Sequence, residues 1–230
     1  PGVLDDSTAD LAWALILATA RRLTEGEAYV RAGHWHGWHL KQMLGVDVHH
    51  ATLGVIGMGR IGQQIVRRAA GFKMRVLYHN RNRLPGDVER WLNAEYAGKD
   101  ELLAQADFVV LQMPYSPATH HYIGAAELKK MKQSAILINS TRGGVIDDAA
   151  LIEALKNGTI RAAGLDVFEN EPRLDPGFLE LKNVVLAPHV GSSTEATRRA
   201  MAMTAAQNAV AALTGATPPN LLNPEAKAKA

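Results

Sequence analysis

The sequence contains no cysteine, which excludes a disulfide framework and any metal site built on thiolates. The longest apolar run near its start covers residues 11–20, whereas a transmembrane helix needs about 20 residues. No basic segment precedes that run, as it would in a secretion signal. The 25 basic and 23 acidic side chains nearly balance, which gives no argument for a nucleic-acid or membrane partner. We therefore expect a cytoplasmic protein that binds neither.

Short apolar segments alternate with amphipathic ones along most of the chain. The apolar segments predict strands at residues 52–56, 74–78, 107–113, 135–139, 162–166 and 184–187. Helices are predicted between them, at residues 61–70, 100–105, 128–131 (the end of a helix) and 148–156. This alternation indicates an α/β protein with a doubly wound, Rossmann-like parallel sheet, whose functional loops follow the carboxyl ends of the strands.

Two helices are predicted ahead of the first strand. A helix over residues 9–23, with Ser7 as N-cap, is apolar on nearly every face, which predicts burial between layers or at a subunit contact. A second helix over residues 25–32 ends at Gly33. The following segment, residues 34–39, holds three histidines and two tryptophans. Those histidines share no helical face and lack a nearby acid, so we favour a packed aromatic loop or a subunit interface over a metal site.

A glycine-rich turn within residues 52–62, TLGVIGMGRIG, is the most specific local motif. Gly57, Gly59 and Gly62 have the G-x-G-x-x-G spacing between a predicted strand and a predicted helix. The first glycine permits the turn, the second lets a pyrophosphate approach the backbone, and the third lets helix and strand pack closely. Phosphates then bind the free N–H groups of the helix N-terminus. The motif predicts a dinucleotide site.

The segment after the second strand indicates which dinucleotide is bound. About 20 residues past the glycines, such folds usually place an acid on the ribose 2′-hydroxyl. This chain has Asn80, with Arg81 and Arg83 beside it. An acid would repel a 2′-phosphate, whereas an amide flanked by guanidiniums can bind one. We therefore predict NADPH in preference to NADH, with a solvated basic loop as the alternative.

Polar groups follow three later strands. Arg142 lies in NSTRGG, Glu171 in DVFENEP and His189 in PHVGS. Because the carboxyl ends of parallel strands meet at one edge of a sheet, we expect these side chains to lie close together. A guanidinium, a carboxylate and an imidazole can together anchor an anion, tune a base and move a proton.

Four long segments, GMGRIG, INSTRGGVID, AAGLDVFENEP and APHVGSST, extend these motifs. Through them nearly the whole chain resembles the NAD(P)-dependent D-2-hydroxyacid dehydrogenase family, most of all the glyoxylate/hydroxypyruvate reductases. The resemblance implies an oxidoreductase that transfers hydride from NAD(P)H to a small 2-oxo acid. Glu171 separates the chain from the similar formate dehydrogenase branch, which carries glutamine there.

The resemblance also implies roles for single residues. Arg142 binds the substrate carboxylate and carbonyl, His189 is the proton donor, and Glu171 is the hydrogen-bonded partner of His189. Beyond the three glycines and residues 80–83, the implied cofactor-binding residues are Arg60, Ile61, Pro114, Thr119, Ser140, Thr141, Arg142, Asp166, His189, Gly191 and Ser192.

Elementary chemistry agrees with these roles. Reducing a 2-oxo acid leaves charge on oxygen, and a protonated imidazole supplies a proton as that charge develops. An unperturbed histidine titrates at about pH 6.5, and a neighbouring carboxylate favours its charged form. We therefore expect Glu171 to keep His189 cationic near neutral pH, while the fork of Arg142 matches a carboxylate.

The resemblance divides the chain in two. Residues 1–191 are expected to form the dinucleotide-binding domain, with dimerisation helices at about 7–33. Residues 192–230 are expected to be the return helix and tail of a split substrate domain, with a helix over 193–214, its last strand at 220–223 and a frayed end at 224–230. Family members carry the rest of that domain ahead of the segment matching residues 1–3, so this chain is expected to bind NADPH but to turn over poorly alone.

In this family the helices before the glycine strand build a two-fold dimer, so a homodimer is expected. Residues 11–20 and the loop with Trp35 and Trp38 suit that contact, and the resemblance implies that Trp38 reaches the partner's substrate cleft. Two other functions stay open: a nucleotide-sensing scaffold like the related co-repressors, and a phosphite or 2-ketogluconate dehydrogenase of a nearby branch. Asn80 and Arg81 favour a metabolic NADPH enzyme over the scaffold.

Overall fold

The computed structural model describes residues 2–225 and contains one seven-stranded sheet. All neighbouring strands pair in parallel, in the order β3-β2-β1-β4-β5-β6-β7. The strands are β1 (Thr52–Ile56), β2 (Arg75–His79), β3 (Ala94–Tyr96), β4 (Phe108–Leu111), β5 (Ile136–Asn139), β6 (Ala162–Leu165) and β7 (Val184–Leu186). The predicted doubly wound parallel sheet is confirmed, and its order reverses between β1 and β4, where such sheets bind ligands.

Helices cover both faces of the sheet. They are α1 (Asp5–Ala20), α2 (Leu23–Arg31), α3 (Arg60–Ala69), α4 (Gly86–Leu92), α5 (Lys99–Gln105), α6 (Ala125–Leu128), α7 (Asp148–Lys156) and α8 (Glu195–Leu213). Residues of α1, α3 and α4 pack into one buried cluster, and those of α5, α6 and α7 into another on the opposite face. Every residue of β4, β5 and β6 is buried, as expected of parallel strands covered on both sides. Within the described residues, no helix is both long and apolar enough to span a bilayer.

The first helix starts and ends earlier than the sequence predicts. It begins at Asp5, with Leu4 rather than Ser7 at the N-cap, and the acids of its first turn face the positive end of the helix dipole. It ends before Arg22, whose φ of 54° breaks the helix ahead of α2.

The all-round apolar surface of α1 is explained largely by burial within the chain. Trp13 is 5% exposed, stacks on Phe72 with ring centroids 4.5 Å apart, and donates its indole N–H to the Ile65 carbonyl at 3.0 Å. The helix also packs against β5 and β6. Of the two burial modes expected for it, packing between layers is therefore observed.

Two further segments differ from expectation. The sequence did not predict β3, a short edge strand that forms by pairing with β2 rather than from a pattern of its own. The strand expected at residues 220–223 is wrong: the Asn220 N–H donates to the Asn208 side chain at 3.0 Å, so the chain turns back on α8 instead of entering a sheet. Residues 226–230, most of the end expected to fray, lie outside the described residues.

Candidate functional site

A cavity of about 1040 Å³ lies at the carboxyl edge of the sheet. Each of the four segments that follow β4, β5, β6 and β7 contributes to its wall, and Ile61 reaches it from the glycine turn. Two helices also line it: Thr8 lies in α1, with Leu4 just before that helix, and Arg198 and Met201 lie in α8. The topology therefore gathers loops that are distant in sequence around one space.

The glycine turn is closely packed at its first and third glycines and open at the second. Gly57 has a φ of +104°, and a Cβ there would lie 2.4 Å from the Gln112 carbonyl. A Cβ on Gly62 would lie 2.3 Å from the oxygen of Gly57, whereas one on Gly59 would meet no atom within 4 Å. Since α3 begins at Arg60 and its first N–H groups have no partner inside the helix, the turn fits a diphosphate lying against Gly59.

The segment expected to recognise the 2′-phosphate is partly engaged elsewhere. The Asn80 side-chain oxygen accepts the Met58 N–H at 2.7 Å, so it holds the glycine turn. Arg83 donates to both oxygens of Glu89, at 2.8 and 2.9 Å, so it is paired with an acid although its side chain is 65% exposed. For Arg81 the structure gives no ion pair within residues 2–225.

Glu89 also accepts the hydroxyl of Tyr78, and Tyr78 in turn accepts the Leu84 N–H at 2.9 Å. Burial, together with the bond to Glu89, raises the pKa of Tyr78 to about 12. The hydroxyl therefore stays protonated at neutral pH and fixes the acid that pairs with Arg83.

A buried asparagine shapes the loop that carries Arg142. The Asn139 Oδ1 accepts the N–H and hydroxyl of Thr141, at 3.1 and 2.9 Å, and its Nδ2 donates to the Arg142 carbonyl at 3.1 Å. The guanidinium of Arg142 donates to the Thr141 carbonyl at 2.6 Å, and the structure gives it no ion pair with any carboxylate of residues 2–225. It lines the cavity as a cation available to an anion.

The next loop packs directly on this one. A Cβ on Gly143 would lie 1.9 Å from the Phe168 carbonyl oxygen, so only glycine allows the contact. Through it, the loop of Arg142 lies against the loop that leads to Glu171.

The imidazole of His189 contacts Glu171. Its Nδ1 donates to the Glu171 Oε1 at 2.6 Å, and the other carboxylate oxygen accepts the Phe168 N–H at 3.4 Å. His189 lines the cavity with its side chain 46% exposed, and Nε2 is the ring nitrogen left for a ligand. Arg142 and His189 therefore line the same cavity, and Glu171 is joined to His189 by a hydrogen bond. The three side chains lie close together, as expected.

The loop of His189 is held by Asp166. The Asp166 side chain is 1% exposed, and its two oxygens accept the N–H groups of Val190 at 2.7 Å and Gly191 at 2.9 Å. Its carbonyl accepts the His189 N–H at 2.8 Å. Burial raises the pKa of Asp166, while the two N–H groups oppose that rise. In this structure Asp166 positions the histidine loop, although it also lines the cavity.

Nine of the predicted site residues line the cavity. They are Ile61, Pro114, Ser140, Thr141, Arg142, Asp166, His189, Gly191 and Ser192. Thr119 does not line it: its hydroxyl donates to the Pro114 carbonyl at 2.9 Å and caps a turn.

Trp38 is 78% exposed and Trp35 is 59% exposed. The prediction of a packed aromatic loop at residues 34–39 is therefore wrong, because the described chain leaves most of both side chains uncovered.

Sequence reasoning missed several residues that build the wall. The Gln112 amide donates to the Ser140 hydroxyl at 2.6 Å, and Tyr115 and His120 line the cavity. The sequence pattern predicts Asn139 only as the end of a strand, although a buried strand ending in Asn-Ser-Thr is a signal for local side-chain-to-backbone bonds.

Comparison with known proteins agrees with this geometry. Residues 13–191 match the NAD binding domain of the D-isomer specific 2-hydroxyacid dehydrogenases. The chain is 51% identical over 227 residues to a glyoxylate reductase of Thermococcus litoralis, covering 97% of this chain and 68% of that protein.

Solved structures give the same result. The TT0316 protein of Thermus thermophilus superposes with a TM-score of 0.91 at 46% identity, covering 96% of this chain and 70% of that one. An NADPH-dependent glyoxylate/hydroxypyruvate reductase of Sinorhizobium meliloti, in complex with NADP and malonate, has a TM-score of 0.84 at 36% identity, covering 92% and 65%. The chain therefore belongs to the D-isomer specific 2-hydroxyacid dehydrogenase family and is an NAD(P)-dependent oxidoreductase of that family.

Proposed function

We propose that this enzyme reduces a small 2-oxo acid, glyoxylate or hydroxypyruvate, to the 2-hydroxy acid with NADPH. The observation that carries the proposal is the pairing of His189 with Glu171 at 2.6 Å, beside a cavity that also holds the guanidinium of Arg142, which has no acidic partner among residues 2–225. Both named substrates are small carboxylates, which suits the guanidinium of Arg142 together with the imidazole of His189.

The chain's own residues supply binding and proton transfer. Arg142 binds the substrate carboxylate through its fork and so orients the neighbouring carbonyl. His189 then donates a proton from Nε2 to the carbonyl oxygen as negative charge develops there. The bound nicotinamide supplies the hydride. Glu171 accepts the hydrogen bond from Nδ1, so it fixes the orientation of the ring and leaves Nε2 for the substrate.

A rate assay tests the proposal. Oxidation of NADPH, followed by the absorbance of the reduced nicotinamide, is measured on a protein that carries the complete substrate domain, with glyoxylate, hydroxypyruvate, 2-ketogluconate and, in the reverse sense with NADP, phosphite. We expect the highest kcat/KM with glyoxylate or hydroxypyruvate. Cofactor binding without turnover of any of the four would favour the nucleotide-sensing scaffold, and a preference for phosphite or 2-ketogluconate would assign a nearby branch.

Replacing Glu171 by glutamine is expected to lower kcat/KM about fivefold, because a hydrogen bond to a charged group contributes about 1 kcal/mol more than one between neutral groups. The amide can still bond to Nδ1 of His189, so the ring keeps its place, but the negative charge beside it is gone. The measurement is kcat/KM for both proteins at neutral pH. An unchanged value would remove Glu171 from the mechanism.

The proposed preference for NADPH depends on position 80, where the chain has Asn80 instead of an acidic residue. Arg81 is the guanidinium that we expect to bind the 2′-phosphate. Arg83 could bind it only after breaking its ion pair with Glu89. The S. meliloti relative that holds NADP supports this choice.

Substituting Asn80→Asp tests the preference with a nearly isosteric side chain. The aspartate can still accept the Met58 N–H, but its charge repels a 2′-phosphate and suits a ribose hydroxyl. We expect kcat/KM with NADPH to fall at least about tenfold, or 1.4 kcal/mol, while that with NADH does not fall. Equal or NADH-favouring values in the unaltered enzyme, or an unchanged ratio in the variant, would contradict the proposal.

We further propose the domain division and assembly expected from the sequence. Residues 1–191 form the dinucleotide-binding domain, and 192–230 belong with the substrate domain. In support, Thr197 is the one buried residue of α8, and Val210 and Leu213 are 59% and 88% exposed. The exposed Trp35 and Trp38 suit a homodimer contact in which Trp38 approaches the partner's cleft. Cytoplasmic location stays a prediction.

A further inference from the structure

We infer that His120, His121 and Glu169 form a binding site for a divalent metal ion of the zinc type at the rim of the cavity. One ligand atom of each side chain lies within 4.8 Å of the other two. Two imidazoles and one carboxylate are a ligand set that zinc sites use, with the fourth position left to water. The reaction proposed above does not use these three side chains, so the inference is independent of it.

The side chains already point toward one another. The rings of the two histidines stack with centroids 3.8 Å apart and planes 24° apart, so they present their edges in similar directions. The Nε2 of His121 and the Oε1 of Glu169 are 2.7 Å apart. Zinc bonds of about 2.0–2.2 Å to nitrogen and oxygen would replace this direct contact.

Backbone contacts hold the ligands in place. The His121 N–H donates to the Gly144 carbonyl at 2.7 Å, and the Glu169 N–H donates to the Asp148 carboxylate at 2.9 Å. His121 has a φ of 49°, a left-handed conformation that costs energy in a histidine and is concentrated at functional sites. The two loops are therefore fixed in the arrangement that brings the ligands together.

Negative charge around the cluster suits a cation. The Asp147 carboxylate lies 3.9 Å from Nδ1 of His121, and Asp148 is buried next to Glu169. A divalent ion would offset the accumulated charge of these acids.

At this location a bound ion would connect two loops of the cavity wall. His120 and Glu169 line the cavity, and Glu169 lies two residues before Glu171. A bound ion would tie the loop after β4 to the loop after β6 at the cavity mouth.

Calorimetric titration of tag-free, metal-stripped protein with Zn²⁺ tests the site. We expect one ion per chain, with affinity lowered at least about tenfold, the scale of losing even an outer-sphere partner, in His120→Ala, His121→Asn and Glu169→Gln. Asparagine is chosen at 121 because it tolerates the left-handed backbone. Circular dichroism checks that each variant is folded.

The matched control is His50→Asn, because His50, like His121, has a positive φ, of 62°. It removes half of the other adjacent histidine pair, His49 and His50, whose Nδ1 atoms lie 2.8 Å apart near Asp47. We expect this variant to bind Zn²⁺ as the unaltered protein does. Loss of binding in the control, or its retention in all three site variants, would overturn the inference.

A second measurement needs no variant. Anomalous diffraction from crystals soaked in Zn²⁺ is expected to give a peak between the three side chains. A peak elsewhere, or none while the solution titration shows no binding, would also overturn it.

Discussion

Replacing His189 is expected to lower kcat by about 10²–10⁴-fold, the usual contribution of a general acid, while binding of NADPH survives. The imidazole is the proton source at the substrate, and it touches Glu171 rather than the glycine turn that fits the cofactor. Initial rates with glyoxylate and fluorescence titration with NADPH measure the two quantities separately.

The choice of variant matters because His189 has a φ of 53°. Alanine in that conformation adds backbone strain, whereas asparagine tolerates it. We therefore expect His189→Asn and His189→Ala to lose activity alike, with asparagine retaining thermal stability better. His79→Asn, at a histidine outside the cavity wall, is the control. Near-normal kcat in His189→Asn would remove the imidazole from proton transfer.

Removing the guanidinium of Arg142 is expected to lower kcat/KM for glyoxylate by about 10²-fold or more, since each hydrogen bond between charged groups contributes about 1.5–3 kcal/mol. Arg142→Ala loses charge and fork together. Arg142→Lys keeps the charge without the fork and should lie between that variant and the unaltered enzyme. The measurement is kcat/KM for the three proteins at saturating NADPH.

Folding should be little affected, because the guanidinium makes one hydrogen bond, to the Thr141 carbonyl, and no ion pair within the described chain. Added guanidinium ion is expected to restore part of the activity of Arg142→Ala but none of that of His189→Ala. Full activity in Arg142→Ala would show that another group binds the carboxylate. Arg198, which also lines the cavity, would be the next residue to replace.

The sequence was sufficient for the parts of the fold that depend on short-range pattern. Apolar strands alternating with helices predicted the sheet, and the roles of Gly57 and Gly62 follow from contacts within one turn. The grouping of His189 with Arg142 followed from topology, because strand ends of a parallel sheet share an edge.

The sequence did not predict which group each polar side chain contacts in the folded chain. Arg83 stands beside Asn80 in the sequence, yet it pairs with Glu89, six residues on. Asp166 lies at a strand end like the other polar groups, but tertiary packing turns its carboxylate toward Val190 and Gly191. The exposure of Trp38 depends on what covers α2 and its loop, which the chain itself does not supply in the described residues.

Dependence on tertiary contacts also explains why the strand predicted at residues 220–223 is wrong. Resemblance placed a strand there, but a strand requires a neighbouring strand to pair with, and Asn220 instead bonds to Asn208 on α8. A short segment adopts the pairing that its surroundings offer.

The most direct test of the central claim is a crystal structure of the enzyme with NADP and oxamate, an unreactive analogue of glyoxylate. We predict the pyrophosphate against Gly59, the oxamate carboxylate on the guanidinium of Arg142, and the adjacent carbonyl oxygen within hydrogen-bonding distance of Nε2 of His189. Oxamate bound outside this cavity, or bound within it while Arg142 or His189 faces away, would contradict the account.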